Sequence, residues 1–309
     1  MTSLLTNSSA MTALQTLSQT NKNLETTQGR ISTGMRVATA SDNAAYWSIA
    51  TTMRSDNQAI STVQDALGLG AGKVDTAYTA VSDTVDRVTE LKQKVLAAKN
   101  ASAEDKAKLQ SEIAVIQAHL KDTVGNASYA GSNLLQTDST DADAPTEFSI
   151  VSSNNRDASG TVTTGSIEVT YANIRLIDSG GDGAGILDTE FTTTGEGAVA
   201  DISILTLDVT AADVDNDDLD DMLTAIETGL KSLATGAAEL GAAKKRIDLQ
   251  QSFMTKLSDA IERGVGQLVD ADMNEESARL QALQVQQQLG IQALSIANSS
   301  SQNILSLFR

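Results

Sequence analysis

The sequence predicts a mostly α-helical protein: a long antiparallel coiled coil or helix bundle built from its N- and C-terminal segments, with a small β-rich domain inserted between them. Apolar residues repeat at heptad spacing over roughly 50 residues near the C-terminal end, which is typical of one long helix with a single apolar stripe. The chain has a single proline, so long helices can run uninterrupted. Aromatic residues make up only 3% of the chain, which suits thin helix-to-helix contacts better than a thick globular core.

The strongest heptad pattern runs from Leu219 to Ala271. Alternating steps of three and four residues meet apolar residues or glycine, and Gln250 is the only polar exception. At about 1.5 Å per residue this helix would be roughly 80 Å long, too long for a compact domain to enclose. The stripe therefore needs other long helices. We expect its central residues to form a coiled-coil core: Leu233, Leu240, Ile247, Met254 and Ile261.

A weaker heptad pattern lies in residues 1–35. Two of its members, Asn21 and Gln28, are polar. They either fix the register of a coiled coil or lie at the edge of the stripe, and both interpretations stay open. The full pattern is Ala10, Leu14, Leu17, Asn21, Leu24, Gln28, Ile31 and Met35.

Helical periodicity lapses after residue 35 and returns in a short helix near Asn43, with Ser41 or Asp42 as its N-cap. This helix carries the only tryptophan, Trp47, beside Tyr46. We expect the aromatic pair to pack in an elbow between two helices, and the alternative is an aromatic binding pair.

A third heptad pattern covers residues 57–98 and predicts a second half of the coiled-coil core. A shorter helix follows, which starts at a capping-box-like pair, Ser102 and Asp105, and ends at Gly125. It carries His119, the only histidine, which we interpret as a surface or packing residue because no second His or Cys exists to share a metal. The expected core residues of the third pattern are Val74, Val81, Val88 and Leu91.

Residues 137–217 differ in kind, being rich in Thr, Ser, Gly, Asp and Asn. Period-two alternation predicts strands at 167–171 and 205–209, with weaker strand signals at 148–150 and 174–176. The glycine-rich run 179–185 lacks the Lys and Ser/Thr of a phosphate-binding loop, so nucleotide binding is excluded.

The charge is concentrated in this middle segment. The net charge is −18, and residues 137–221 hold 19 acidic and 2 basic side chains. Such a balance argues against nucleic acid as a partner. The densest cluster, Asp213–Asp221, fails as a calcium loop because Asp218 replaces the required glycine and Thr224 the final glutamate. We interpret it as acidic capping of the long helix, with a weak divalent-cation site as the alternative.

Other classes of protein are excluded by what the sequence lacks. It has no cysteine, no apolar run near 18 residues, and no N-terminal basic region followed by an apolar core. We therefore expect no disulfide, no membrane insertion and no cleaved signal peptide. Only His119 offers a base near neutral pH, so we expect no enzyme activity, no cofactor and no metal site.

Residues 272–309 carry a fourth heptad pattern that is too wide for one neighbour. Val285, Leu289, Ile296, Leu305 and Leu307 extend the apolar surface well beyond a single stripe. Such helices gain stability by packing against further copies of the chain. A contact that does not close into a ring would produce a helical filament.

Motifs at both ends of the chain resemble those of bacterial flagellin. The resemblance covers about residues 1–136 and 222–309, and the short middle is similar to the flagellins of alphaproteobacteria. It rests on the segments Ile31–Val37, Ser41–Ala45, Ser48–Ala50, Val269–Met273, Leu283–Gln288 and Leu305–Arg309.

This resemblance implies a structural subunit that is exported by the flagellar type III pathway and polymerises into the extracellular helical filament used for swimming. Residues 1–40 and 272–309 would form the inner tube, 41–136 and 218–271 the coiled-coil shell, and 137–217 the acidic, variable outer domain. The residues implied in self-assembly are Leu14, Leu17, Leu24, Ile31, Leu280, Leu283, Leu294, Ile304, Leu307 and Phe308.

The resemblance also implies partners: further copies of the chain, sister flagellins, the filament cap, hook–filament junction proteins and an export chaperone. Part of the pattern read by the animal Toll-like flagellin receptor is present at Arg87, Val88, Glu90 and Leu91, although Asp86 and Thr89 depart from it. Plant receptors read a segment that departs at Asn43 and Tyr46. A hook–filament junction protein and a filamentous surface adhesin are the alternative functions.

Overall fold

The computed structural model describes residues 7–141, 145–157, 159–195, 199–211 and 214–307, and for residues 300–307 only the backbone. It confirms a mostly helical fold with long N- and C-terminal helices. In this part of the chain the helices are α1 Ser8–Thr33, α2 Ala44–Ala98, α3 Ala103–Asn126, α4 Tyr171–Ile174, α5 Asn216–Val269 and α6 Met273–Leu307. The strands are β1 Ser128–Tyr129, β2 Ser132–Asn133, β3 Gln136–Thr137, β4 Glu147–Arg156, β5 Val162–Thr170 and β6 Ile177–Asp178.

The chain divides into two compact units. The terminal unit contains Met1–Gln58 and Ser258–Arg309, and the bundle unit contains Ala59–Leu257. The division into inner tube, shell and outer domain that the resemblance implies concerns the filament, and it stays a prediction.

In the bundle unit, α2 and α5 run antiparallel and are joined by ion pairs. Lys99 contacts Asp220 at 2.6 Å, Lys92 pairs with Glu227, and Asp75 pairs with Lys244. As the position on α2 moves toward the N-terminus, its partner on α5 moves toward the C-terminus by a similar number of residues. The two helices therefore keep one constant register from Asp75 to Lys99 of α2, which is about 36 Å of helix at 1.5 Å per residue.

The bundle unit buries the heptad positions of α2 and α5 that the sequence singled out. Its eight buried members are Val74, Val81, Val88, Leu91, Leu233, Leu240, Ile247 and Met254. On α5 the burial of the heptad positions weakens after Met254, because the helix then buries Val265 and Val269 and leaves Ile261 only partly buried. The eleven-residue step from Met254 to Val265 corresponds to 3.67 residues per turn, which departs from the 3.5 residues per turn of a strict heptad pattern.

The structure merges the two helices expected between residues 43 and 98 into one. The N-cap of α2 is Asn43, whose side chain accepts a hydrogen bond from Tyr46 N at 3.1 Å. The expected N-caps were wrong: the Asp42 carboxylate binds the backbone N–H of Thr39 at 2.9 Å instead. Ser102 caps α3 as expected.

The main sheet of the insert is an antiparallel hairpin of β4 and β5 with a bulge between Val151 and Ser153. The strands expected at 148–150 and 167–171 are confirmed, except that Tyr171 begins α4. The strand expected at 174–176 was wrong, because residue 174 ends α4 and β6 begins at 177.

The alternating segment 205–209 is not a strand. Its backbone binds glutamine side chains of α3: Gln117 Nε2 donates to Leu207 O at 2.9 Å, and Val209 N donates to Gln110 Oε1 at 3.0 Å. Leu205, Leu207 and Val209 are buried. The alternation therefore reflects burial of every second side chain against a helix, with glutamines in place of a neighbouring strand.

Two helical glycines let the insert approach the long helices closely. A Cβ at Gly236 would lie 2.7 Å from Asn173 O, and one at Gly70 would lie 2.7 Å from Ile150 Cδ1. Since real Cβ contacts are longer, these positions require glycine or a shift of the insert.

The acidic cluster at the start of α5 has a capping role. Asp215 accepts hydrogen bonds from the N–H groups of Asp217 and Asp218 at 2.8 and 3.0 Å, and Asp218 reaches back to Asp215 N at 3.1 Å. The fully buried Asp218 also accepts from Gly195 N. This reciprocal arrangement agrees with the expected helix capping, whereas Asp213 lies outside the described residues.

A second buried carboxylate organises the glycine-rich loop of the insert. Burial alone would raise the pKa of Asp178, but hydrogen bonds from the Ser139 hydroxyl, Ser139 N and Gly180 N outweigh it and lower the pKa to about 2. The loop is thus folded around an ionised carboxylate.

Candidate self-assembly surface

In the terminal unit, α1 and α6 pack against each other as an antiparallel pair, called here the terminal pair. Asn7 Nδ2 donates to Ala297 O at 2.9 Å, and Arg30 Nη1 contacts Glu276 Oε1 at 3.0 Å. Between them, Leu17 lies against Gly290, which is small enough to admit it. The pair is therefore in register from Asn7 to Arg30.

The heptad pattern of α1 is displaced by one residue at every second position. The structure buries Thr20 and Thr27 where the sequence favoured Asn21 and Gln28, and Leu14 is 59% exposed. Thr20 satisfies its hydroxyl by donating to Thr16 O, so it can face the partner helix. Of the two interpretations of the polar residues, the edge position is the observed one, although Asn21 still accepts a hydrogen bond from Gln287 at 2.8 Å.

The other residues implied in self-assembly mostly hold the terminal pair together. Leu283 is buried, and Leu17, Leu24, Ile31, Leu280 and Leu294 are partly buried. Ile304 and Leu307 lie in α6 but their side chains are not among those described, and Phe308 lies outside the described residues.

Large apolar side chains remain on the outer sides of the terminal pair. Ile296 is 68% exposed, and five other large apolar side chains of α1 and α6 are exposed to a similar fraction. The exposed set is Met11, Leu14, Val285, Leu289, Ile291 and Ile296. The sequence pointed to three of these as the residues that widen α6, whereas Met11 and Ile291 were missed because they fall outside the heptad pattern.

An ionic cluster around the buried Glu276 joins the C-terminal end of α1 to the start of α6. Glu276 Oε1 is contacted by Arg30 of α1 at 3.0 Å and by Arg279 of α6 at 3.1 Å. Its other oxygen, Oε2, has no hydrogen-bond partner among the described residues. One carboxylate thus ties both helices together, a polar contact that favours one register.

The breaks between helices lie side by side in this unit. Arg36 N and Val37 N both donate to Val269 O, and Ala271 N donates to Gly34 O at 2.9 Å. Gly34 has a φ of +72°, which glycine adopts without strain. Backbone hydrogen bonds therefore join the loop after α1 to the turn between α5 and α6.

The aromatic pair expected in a packed elbow is at the surface. Tyr46 is 41% and Trp47 37% exposed, and the buried residue of this turn is Ala50, which packs with Val265 and Val269. The elbow packing was wrong because a small residue fills that space.

The four residues of the receptor pattern divide into two groups. Val88 and Leu91 are completely buried in the bundle unit, and Arg87 and Glu90 are half-exposed and paired at 2.5 Å. Of the four, only the two charged side chains are accessible from the surface of the bundle unit.

The described residues offer little to a metal or cofactor. They contain no group of three His, Asp or Glu side chains placed to hold a metal ion. A groove of about 490 Å³ beside α5 is lined partly by Thr224 and Thr228, whose hydroxyls donate to carbonyls of their own helix. His119 is exposed and shares a 3.2 Å contact with Thr123. Within the same described part, no helix is both long and apolar enough to span a bilayer.

Comparison with known proteins assigns the chain to a family. The model of the bacterial flagellin N-terminal helical region matches residues 4–140, and that of the bacterial flagellin C-terminal helical region matches 223–308. The chain is 53% identical over 311 residues to a flagellin of Brucella melitensis and 48% identical over 323 residues to flagellin C of Rhizobium meliloti, covering 100% of both chains in each case.

A crystal structure of Bacillus cereus flagellin also aligns, over 62% of this chain and 88% of that chain, with 18% identity and a TM-score of 0.39. The assignment rests on the sequence relatives, which match from end to end. Both terminal regions and the whole length thus point the same way, and the chain belongs to the bacterial flagellin family.

Proposed function

We propose that this flagellin, a structural subunit of the flagellar filament, polymerises by burying the outer apolar sides of its terminal pair among identical copies. The observation that carries the proposal is the exposed apolar set on α1 and α6, which one chain leaves in water. Each such side chain gains about 1.5–3 kcal/mol when it is fully buried. Copies stacked without ring closure extend into a helical polymer.

The three layers implied by the resemblance extend this proposal. Residues 1–40 and 272–309 line the inner tube, 41–136 and 218–271 form the shell, and 137–217 face outward. The absence of charged side chains from residues 1–21 and 280–308 and the strongly acidic middle support this order, because charge is depleted in the buried cores of interfaces and tolerated at surfaces.

The localisation of the protein follows from that of the filament, which is extracellular. We infer export by the flagellar type III pathway without a cleaved signal peptide, supported by the membership of the chain in the flagellin family. The partners we propose beyond identical copies are sister flagellins, the filament cap, hook–filament junction proteins and an export chaperone.

A structural role without enzyme activity fits a structural family. The alternative functions, a hook–filament junction protein or a surface adhesin, are not favoured, because the relatives that match from end to end are flagellins. Receptor recognition through Arg87 and Glu90 is a further proposal that a direct binding assay tests.

The decisive experiment places a charge on the outer side of α6. We expect Ile296→Asp to abolish filaments in electron micrographs while leaving the circular dichroism of the monomer unchanged, since the side chain is already in water before assembly. The matched control is Val115→Asp, at an equally exposed apolar residue on α3, which should polymerise. Normal filaments from Ile296→Asp would contradict the proposal.

A coarser test removes residues 280–309. The truncated chain should fail to polymerise yet keep the helices of the bundle unit. Loss of all helical circular dichroism would instead show that the two units do not fold separately.

A further inference from the structure

A groove of about 490 Å³ lies in the bundle unit, between the N-terminal third of α5 and the segments of the insert that follow β6. We call it the α5 groove. Its apolar lining includes Ile186, Phe191 and the buried Ile204. A Cβ at Gly229 would lie 2.6 Å from Ile204 Cδ1, so the absence of a side chain there lets the insert pack closely on the helix. This volume and an apolar lining are typical of a site for a small organic molecule.

Hydrogen bonds hold the walls of the α5 groove in place. In the insert, Phe191 N donates to Ile202 O at 2.8 Å, and Ile202 N donates to Phe191 O at 3.2 Å. Asp221 Oδ2 of α5 accepts hydrogen bonds from Thr194 N at 2.8 Å and from Thr194 Oγ1 at 2.7 Å. The insert and the helix are therefore joined beside the groove, and a ligand does not have to order its walls on binding.

Three hydroxyl groups on the rim of the α5 groove are already engaged as donors. Each donates to a backbone carbonyl of its own segment: Thr189 to Gly185 O, Thr224 to Asp220 O and Thr228 to Thr224 O. Their oxygen atoms keep lone pairs that can accept further hydrogen bonds. A ligand that matches this rim therefore supplies its own donors.

The charge of the α5 groove is negative. Asp221 is the one ionisable side chain among the described residues that line it. Asp220, one residue earlier, pairs with Lys99 of α2, whereas Asp221 forms no ion pair in the described part of the chain and its Oδ1 accepts no hydrogen bond there. Residues 137–221 hold 19 acidic and 2 basic side chains, which adds to the negative potential around the groove. A cation is thus the complementary ligand.

We propose that the α5 groove binds an organic cation, an ammonium group carried on an apolar body. Asp221, Thr224 and Thr228 are spaced three and four residues apart and so share one face of α5. The ammonium group donates to Asp221 Oδ1 and to these two hydroxyl oxygens, and the apolar body lies against Phe191 and Ile204.

The two halves of the groove together select this class of ligand. An inorganic cation would leave the apolar lining without a contact, and a neutral molecule would leave the carboxylate without a counter-charge. The site belongs to the bundle unit and uses none of the apolar residues of the terminal pair. The proposed polymerisation would therefore stand even if this site failed its test.

Calorimetric titration of the full-length protein tests the proposal with two probes of similar shape. Phenethylamine is protonated at neutral pH, and phenethyl alcohol is its neutral counterpart. We expect the amine to bind at one saturable site, with a dissociation constant on the order of 1 mM or tighter, and the alcohol to bind about tenfold more weakly or not at all. No saturable binding of the amine, or equal binding of the two probes, would overturn the proposal.

Variants locate the binding site. We expect Asp221→Asn to weaken binding of the amine about tenfold or more, while its amide oxygen still accepts from Thr194 and the melting curve stays close to that of the wild type. The matched control is Asp220→Asn, which removes the same charge one residue away, outside the lining of the groove, and should change the affinity less than about twofold. Equal losses in the two variants would show a response to overall charge alone and would overturn the site.

A third variant fills the groove without altering its charge. Ala225 lines the α5 groove and is half-buried, so Ala225→Leu places a larger side chain in the space of the apolar body. We expect this variant, checked for folding by its melting curve, to lose binding of the amine. Unchanged binding would place the amine elsewhere on the protein and contradict the proposal.

Discussion

The bundle unit and the terminal pair are built from the same kind of heptad pattern, yet they bury it to different degrees. In the bundle unit, α3 and the insert add to the contact between α2 and α5, and residues such as Leu91 and Leu240 are completely buried. In the terminal pair two helices meet along one stripe, and Leu17 and Leu294 remain partly exposed. A heptad pattern thus predicts which face of a helix contacts another helix. The number of neighbouring elements then decides how completely that face is buried and how much the burial stabilises the fold.

The largest expected effect lies in the bundle unit. We expect Leu240→Ala to lower the free energy of unfolding by about 2–5 kcal/mol, because it leaves a cavity in a fully buried position. Leu249→Ala on the same helix, where the leucine is 61% exposed, should change it by less than about 0.5 kcal/mol. Urea unfolding followed by circular dichroism measures both, and equal effects would break the comparison.

The next effect depends on pH. Asp178 has a folded-state pKa of about 2, below the unfolded value of about 3.9. Its carboxylate therefore stabilises the fold above about pH 4, and this contribution is lost as the pH falls toward 2. We expect Asp178→Asn to cost about 1–3 kcal/mol at pH 7 and the difference from the wild type to shrink in acid.

Thermal melts between pH 7 and pH 2.5 follow this difference. The control is Asp182→Asn, at an exposed position in the same loop. A cost of Asp178→Asn that stays constant over this pH range would contradict the role of the ionised carboxylate.

Substitution of two glycines on α2 tests how closely the insert packs against this helix. Gly70→Ala should cost about 1–3 kcal/mol, because its methyl group would meet Ile150. At Gly68 nothing lies within 4 Å, so Gly68→Ala should stabilise the protein by about 0.5–1 kcal/mol through helix propensity. Calorimetry measures the change in melting temperature of each variant. A decrease for Gly70→Ala with an increase for Gly68→Ala supports close packing, and changes of the same sign would argue against it.

The smallest expected effect lies in the terminal pair. Leu17→Ala should change the cooperative unfolding of the monomer by less than about 0.5 kcal/mol, because weakly buried helices open locally before the bundle unfolds. Urea unfolding and limited proteolysis of the dilute monomer measure this, and the first cuts should fall in α1 and α6. A loss as large as that of Leu240→Ala would show that both regions unfold as one.

The sequence predicted what depends on strong periodicity and missed what depends on local competition. The stripe of α5 was predictable to Met254 because leucine, isoleucine and methionine mark it. The stripe of α1 was not, since Thr20 and Thr27 are polar by composition and yet face α6. Only the position of the partner helix decides between Leu14 and its neighbour Ala13.

The insert shows the same limit in another form. The alternation at 205–209 indicated burial of every second side chain correctly and its hydrogen-bond partner wrongly, because the side chains of Gln110 and Gln117 are too distant in sequence to be anticipated. The exposed Trp47 was missed for the opposite reason, since a lone large aromatic residue is more often in a core than at a surface.

The ion pairs between α2 and α5 have a consequence for when the molecule can fold. Asp75 and Lys244 are 169 residues apart, and Lys99 and Asp220 are 121 apart. Each helix therefore lacks this long-range partner until both segments have been synthesised, so the contact between α2 and α5 forms late. Under the export proposed above, the two helices pair only after both have left the cell.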